Sequence, residues 1–226
     1  MKPCIAALVP MRHHSVRVPK KNYRPFAGKM LYHHIIDTLI ACDMISQTVI
    51  DTDSPVITED ARKNFPRVTM LERPLDLRAD TTSMNKVLMH TVSCIDADYY
   101  LQTHSTNPLI KSRTIERAIK MFLDKRDTCD SLFSVTKIQK RLWDSNQKPV
   151  NHDPSVLLRT QDLDPLYEEN SCIYIFSKDI LLNLKNRIGK TPVLFEMDPI
   201  EAMDIDDESD FVIAEALYHK IAATGI

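Results

Sequence analysis

Residues 4–31 read CIAALVPMRHHSVRVPKKNYRPFAGKML, and the rest of the chain is interpreted outward from them. Residues 4–9 are an unbroken apolar run with the length and composition of a buried strand. The run opens into a loop carrying Arg12, Arg17, Lys20, Lys21, Arg24 and Lys29. Leu31, Ile35, Ile36, Leu39 and Ile40 then recur at helical spacing. A strand that delivers several cations at its carboxyl end is suited to an anion. Phosphate fits best, because Arg presents a planar donor fork and Lys a point charge, both ionised at neutral pH. The alternative is a solvated surface loop, but in open α/β sheets ligands bind beyond the carboxyl ends of strands.

The pattern of strand, loop and helix continues along the chain. Strands are expected over residues 47–51, 67–71, 98–102, 131–136, 172–176 and 192–197. Helices are expected over 29–42 and 55–64, from 82 or 83 to 92, across the face of Ile115, Ala118, Ile119, Phe122 and Leu123, and over 177–188 and 207–222. Ser54 and Ser177 are placed to cap their helices, Pro55 to start one and Gly189 to end one, while Asp207, Glu208 and Asp210 suit the first-turn dipole of the last helix. This alternation predicts a three-layer α/β architecture on a mostly parallel sheet. Residues 137–165 break the pattern, with proline, amides and the only tryptophan, Trp143; they read as an inserted dimerisation arm or a mobile lid.

Composition narrows the chemistry. The 226 residues suffice for one substantial α/β domain, and a net charge of −2 with 27% charged residues argues against nucleic acid as the partner. Five cysteines with no C-x-x-C pair read as reduced core thiols, consistent with the cytoplasm. No apolar run is long enough to span a membrane, and the start of the chain has no signal-peptide pattern. Three glycines exclude a G-x-G-x-x-G or Walker loop, so a phosphate site must be built from side chains.

The run Asp204-Ile205-Asp206-Asp207-Glu208 is a candidate metal site, because carboxylates flanking one residue of an extended backbone project to the same side. Mg²⁺ binds through one or two carboxylates and completes its shell with water and phosphates. A solvated turn with helix capping explains the same acids. His33 and His34 are adjacent on a helix, point apart and make no joint site. Arg73, Gln102, Arg159, Gln161 and Asn170 lie at strand ends or in loops, where each is a polar candidate.

Several segments together resemble the acylneuraminate cytidylyltransferases, the CMP-sialic acid synthetases and relatives acting on other nonulosonic acids. The family opening P-A-R-x-x-S-x-x-x-P-x-K-N is matched by Pro10, Arg12, Ser15, Pro19, Lys21 and Asn22, and its F-x-G-K-P-L continuation by residues 26–31. Thr52-Asp53, Arg73-Pro74, Leu101-Gln102, Arg159 with Gln161-Asp162, Asn170 with Tyr174, and Asp204-Ile205-Asp206 follow in order. The resemblance implies a Rossmann-like nucleotidyltransferase fold where CTP and a 2-keto sugar acid meet above the sheet, and a homodimer formed through the inserted arm. It implies Arg12, Ser15, Lys21 and Asn22 at the CTP phosphates and ribose, and Arg73 and Thr82 at the cytosine. Gln102, Arg159, Asn170 and Tyr174 would face the sugar acid and Asp204 and Asp206 hold Mg²⁺, with Lys21, Arg12 and Asp206 carrying the chemistry.

The sequence departs from that family at the adjacent His13 and His14, which fall inside the clamp, at Val16 where a lysine is common, at a longer run over 103–107, and at Ser171-Cys172. Two other readings stay open: a sugar nucleotidyltransferase of the same fold with another sugar or nucleotide, of the Kdo type, and a nucleotide-binding protein without turnover.

Overall fold

The computed structural model describes residues 2–224. A seven-stranded sheet runs in the order β5-β4-β1-β6-β8-β7-β9. Its strands are β1 (Ile5–Met11), β4 (Gln47–Thr52), β5 (Thr69–Glu72), β6 (Tyr99–Gln102), β7 (Ser131–Ile138), β8 (Leu166–Phe176) and β9 (Pro192–Glu196). Neighbours pair in parallel except β8, which runs antiparallel to both β6 and β7. The expected mostly parallel α/β sheet is therefore present. Reversal of β8 has a consequence for the site: its first residues project past the carboxyl end of β6, and Tyr174 stands opposite Gln102.

Alternation of side chains about β1 builds both layers. Its residues Ile5, Ala7, Val9 and Met11 pack with α1 (Leu31–Ile40), α2 (Pro55–Asn64) and α4 (Ser112–Lys125). Ala6 and Leu8 face α3 (Met84–Cys94) and α5 (Lys178–Leu184) on the other side. Every residue of β1 is buried, as the apolar run requires. Ser54 caps α2 by accepting from the Ile57 amide at 3.3 Å, and Ser177 caps α5 in the same way from Ile180.

A third cluster brings together segments almost two hundred residues apart. Val18, Phe26 and Leu31 of the opening segment pack on Ile205, Phe211 and Ala214, the last two on α6 (Glu208–Thr224). The intervening hairpin, β2 (Pro25–Phe26) with β3 (Lys29–Met30), turns through Ala27 at φ 46° and Gly28 at φ 89°. Both angles are positive, as a two-residue turn of this hand demands, and Gly28 accommodates its angle without strain. The Ala27 amide donates to Glu215 of α6 at 2.7 Å, which fixes the hairpin to the helix.

Some expectations need correction. Helix α5 stops at Leu184 instead of running to 188, and Lys185 at φ 53° turns the chain. Gly189 is not the helix terminator; a side chain there would run into the Asp130 carboxylate, which receives the amides of Lys190 and Thr191. The segment 139–165 is largely exposed and irregular, with Trp143, Val156 and Leu157 open to solvent. Among the described residues no helix is long and apolar enough to cross a membrane.

Candidate active site

The carboxyl ends of β1 and β6 open onto a cavity of about 340 Å³. Its walls include Arg12, His14, Ser15, Arg17, Lys21 and Asn22 from the opening loop, Asp80, and the run His104, Ser105 and Thr106. The loop is held open by its own backbone bonds and by one side chain. Asn22, only 9% exposed, donates to the Arg12 carbonyl at 2.7 Å and accepts from Ser105 Oγ at 2.7 Å, so it ties the end of β1 to the end of β6. Lys20 adopts φ 61° immediately before the short 3-10 turn Lys21–Tyr23, a costly conformation for a side-chain-bearing residue at the point where Lys21 enters the cavity.

Each cation here has a provisional partner. Arg12 Nη1 bonds Asp80 Oδ1 at 3.0 Å, and its Nη2 reaches the Thr82 carbonyl at 3.5 Å. Arg17 Nη2 bonds Asp206 Oδ1 at 2.6 Å. Lys21 Nζ donates to the Ile205 carbonyl at 2.6 Å and lies 4.0 Å from Asp206 Oδ1. Burial lowers the Lys21 ammonium from 10.5, while the charges of Asp204 and Asp206 act in the opposite direction. The Asp204 carboxyl is lifted above 3.8, first by burial and then by Asp206, with Thr106 and Lys21 opposing. Asp204 Oδ1 is buried without a hydrogen-bond partner.

That orphaned oxygen is the test of whether these residues suit a divalent cation. A buried acceptor left unpaired costs free energy unless a ligand completes it. Asp204 and Asp206 meet the requirement of Mg²⁺ for one or two carboxylates beside substrate oxygens. No cluster of three or more histidine, cysteine or carboxylate ligands occurs among the described residues.

On the β8 side of the cavity Gln102, fully buried, places its Nε2 2.9 Å from His104 Nε2 and accepts from Arg187 Nη1 at 2.6 Å. Burial, with the charges of Arg187 and Lys21, pushes the His104 imidazole down from 6.5 to about 3, so it is neutral and accepts the amide proton of Gln102. The Arg187 guanidinium stacks 3.5 Å from the centre of the Tyr174 ring, and the Tyr174 hydroxyl bonds Glu169 and Ser171.

The fold thus brings together Arg12, Ser15, Lys21, Asn22, Asp204 and Asp206, with Thr82 touching Arg12 through its carbonyl and Gln102 and Tyr174 buried behind His104. Three expected site residues fall elsewhere. Arg73 is 1% exposed and held by Asp51, Nε to Oδ1 at 2.6 Å, beneath the strand ends instead of lining the cavity. Asn170 bridges Ser134 and Thr136 at 2.6 and 3.1 Å, filling the irregularity where β7 shifts register against β8. Arg159 sits on the exposed arm and pairs with Asp162 at 2.7 Å. His13 also leaves the clamp: its Nδ1 bonds Ser54 Oγ at 2.8 Å and its ring stacks on Tyr23, so only His14 faces the cavity. Asp80 and Arg187 were not singled out from sequence, and His104 only as part of the polar run 103–107 after a strand; each is one polar residue in a polar loop, and only the fold gives it a neighbour.

Comparison with known proteins places the chain in one family. A CMP-N,N'-diacetyllegionaminic acid synthase of Legionella pneumophila is 31% identical over 236 residues, covering 94% of this chain and 95% of that protein. An N-acylneuraminate cytidylyltransferase of Escherichia coli is 25% identical across 97% of this chain but only 53% of its own length; the chain spans about half of several such relatives. In fold, the structure of a CMP:2-keto-3-deoxy-manno-octonic acid synthetase complexed with CTP superposes with a TM-score of 0.71 at 14% identity, covering 96% of this chain and 99% of that one. The family model described as cytidylyltransferase matches residues 6–221. With a cationic cavity over a Rossmann-like sheet and a family match across almost its whole length, the chain belongs to the cytidylyltransferase family.

Proposed function

We propose that the chain transfers CMP from CTP to the anomeric hydroxyl of a nonulosonic 2-keto sugar acid and releases pyrophosphate. One observation carries the proposal: Arg12, Arg17 and Lys21 converge on one cavity, and Arg17 and Lys21 reach from it to Asp206 and the Ile205 carbonyl, next to the unpartnered carboxylate oxygen of Asp204. Cations beside a carboxylate pair match a triphosphate with a bound divalent ion, and similar proteins are named N-acylneuraminate cytidylyltransferase and CMP-N,N'-diacetyllegionaminic acid synthase.

In this reading the triphosphate displaces Asp80 from Arg12 and Asp206 from Arg17, exchanges that are inexpensive because both pairs are solvent-accessible. Asp204 and Asp206 would hold Mg²⁺, which when bound neutralises phosphate charge. Lys21, oriented by its strained neighbour, stabilises charge developing on the phosphoryl oxygens. Asn22 keeps the two strand ends at the spacing the nucleotide needs, while Ser15 and Thr82 border the nucleotide. Gln102 and Tyr174 shape the acceptor side. The anomeric hydroxyl oxygen forms a bond to the α-phosphorus as the bond to the pyrophosphate oxygen breaks, the leaving group carrying away the electron pair and the hydroxyl proton passing to water. Arg159 reaches an acceptor only if the arm folds over a site, and a homodimer formed through the exposed arm would bring it to a second copy. A cytoplasmic enzyme with access to CTP is the setting this chemistry needs.

The test is pyrophosphate release from CTP with Mg²⁺ over a panel of 2-keto sugar acids. Turnover with at least one acid and not with UTP supports the reading. CTP binding without release for any acid overturns it in favour of a nucleotide-binding protein without turnover.

A further inference from the structure

The half-buried guanidinium of Arg187 is not used by the chemistry above. It enters from the loop after α5, half-buried, with burial depressing its basicity. Its partners are neutral: the carbonyl oxygen of Gln102 at 2.6 Å and the face of Tyr174 at 3.5 Å. No carboxylate lies within ion-pair distance among the described residues, whereas Arg12, Arg17, Arg24, Arg73, Arg78 and Arg159 each have one. Glu169, whose charge acts on it, bonds the Tyr174 hydroxyl instead. A partly desolvated cation without a counter-ion is less favourable in a folded chain than one whose anion a ligand supplies.

Stacking on Tyr174 fixes the plane of the guanidinium, and Gln102 is fixed in turn by His104, a wall residue of the cavity. Arg187 is thus held rigid on the β6/β8 side. The triphosphate side already has its cations in Arg12, Arg17 and Lys21. The charge of an acceptor acid is its carboxylate, a planar group that a guanidinium edge matches with paired donors. We infer that Arg187 receives the carboxylate of the 2-keto sugar acid, with Gln102 and Tyr174 holding it in register. The inference rests on the proposed transfer to such an acid. That carboxylate is bonded to the anomeric carbon, so gripping it also directs the attacking hydroxyl toward the α-phosphorus.

The experiment compares wild type, Arg187→Gln and Arg187→Lys with the best acid of the panel and with its carboxamide. For Arg187→Gln the acceptor KM should rise on the order of tenfold to a hundredfold, with the CTP KM unchanged. Arg187→Lys should fall between, since it keeps the charge and loses the fork. Wild type should prefer acid over carboxamide, and Arg187→Gln should lose that preference, a readout that simple loss of packing would not move. An unchanged preference, or equal damage to the CTP and acceptor constants, overturns the assignment. If wild type turns over no acid, the proposed function fails separately, and calorimetric titration of N-acetylneuraminic acid and its carboxamide decides this one. Acid binding lost in Arg187→Gln supports the assignment; equal binding, or none to wild type, overturns it.

Discussion

Two Arg–Asp pairs lie at neighbouring strand ends and do opposite things. Arg12 and Asp80, at the end of β1, have side chains 35% and 74% exposed. Arg73 and Asp51, beneath β4 and β5, are 1% and 2% exposed, and the second oxygen of Asp51 accepts from Thr91 at 3.1 Å. An accessible pair is worth little and exchanges partners with a ligand at small cost. A buried pair cannot exchange, because removing either member strands a charge away from water. The same two residue types therefore make an exchangeable pair at the proposed ligand site in one place and a strut in the other, and solvent access decides which.

The largest effect should come from the strut. Arg73→Met leaves Asp51 buried with Thr91 at 3.1 Å and His90 Nδ1 at 3.7 Å, and should cost about 3–5 kcal/mol of stability by urea unfolding. A near-normal midpoint would mean that water reaches the pair and would erase the distinction. On the ligand side, Lys21→Ala should lower kcat/KM for pyrophosphate release on the order of 10²–10³-fold, and a loss below about tenfold would remove Lys21 from the chemistry.

Arg12→Ala sharpens the contrast, with the CTP KM rising about tenfold. Its unfolding free energy should change by less than about 1 kcal/mol, the reverse of the Arg73 result. The smallest effect concerns His104, whose ordinary value of 6.5 falls to about 3 in the fold. Below 6.5 the unfolded chain takes up a proton that the folded chain refuses, so stability present above 6.5 declines as pH falls toward 3. Between about pH 6.5 and about pH 5.5 the loss should be about 1 kcal/mol, and His104→Gln should abolish that part of the acid dependence in urea titrations.

The opening strand and loop, the alternation of strands and helices, and the caps at Ser54 and Ser177 were legible in the sequence, because each depends on residues a few positions apart. The cationic clamp was legible for the same reason, and the Asp204–Asp206 spacing marked its partner. Side-chain direction was not legible. His13 and His14 look alike on paper, yet a bond to Ser54 and the Tyr23 ring draw one out of the cavity and leave the other in it. In the sequence Arg73 and Asn170 read as strand-end residues, where ligand residues lie, and nothing local told that Asp51 or the β7–β8 irregularity would claim them.

What the sequence determined by itself is the α/β class and the cations at the end of its first strand, since periodicity and charge are local properties. What only the tertiary structure decided is which charges meet. Val18, Phe26 and Leu31 must pack on Ile205, Phe211 and Ala214 before Lys21 can stand beside Asp206. The reversed β8 must lie beside β6 before Arg187 can reach Gln102 across Tyr174. Burial of apolar surface, proportional to area and indifferent to sequence distance, draws these segments together, and the polar site forms where they meet.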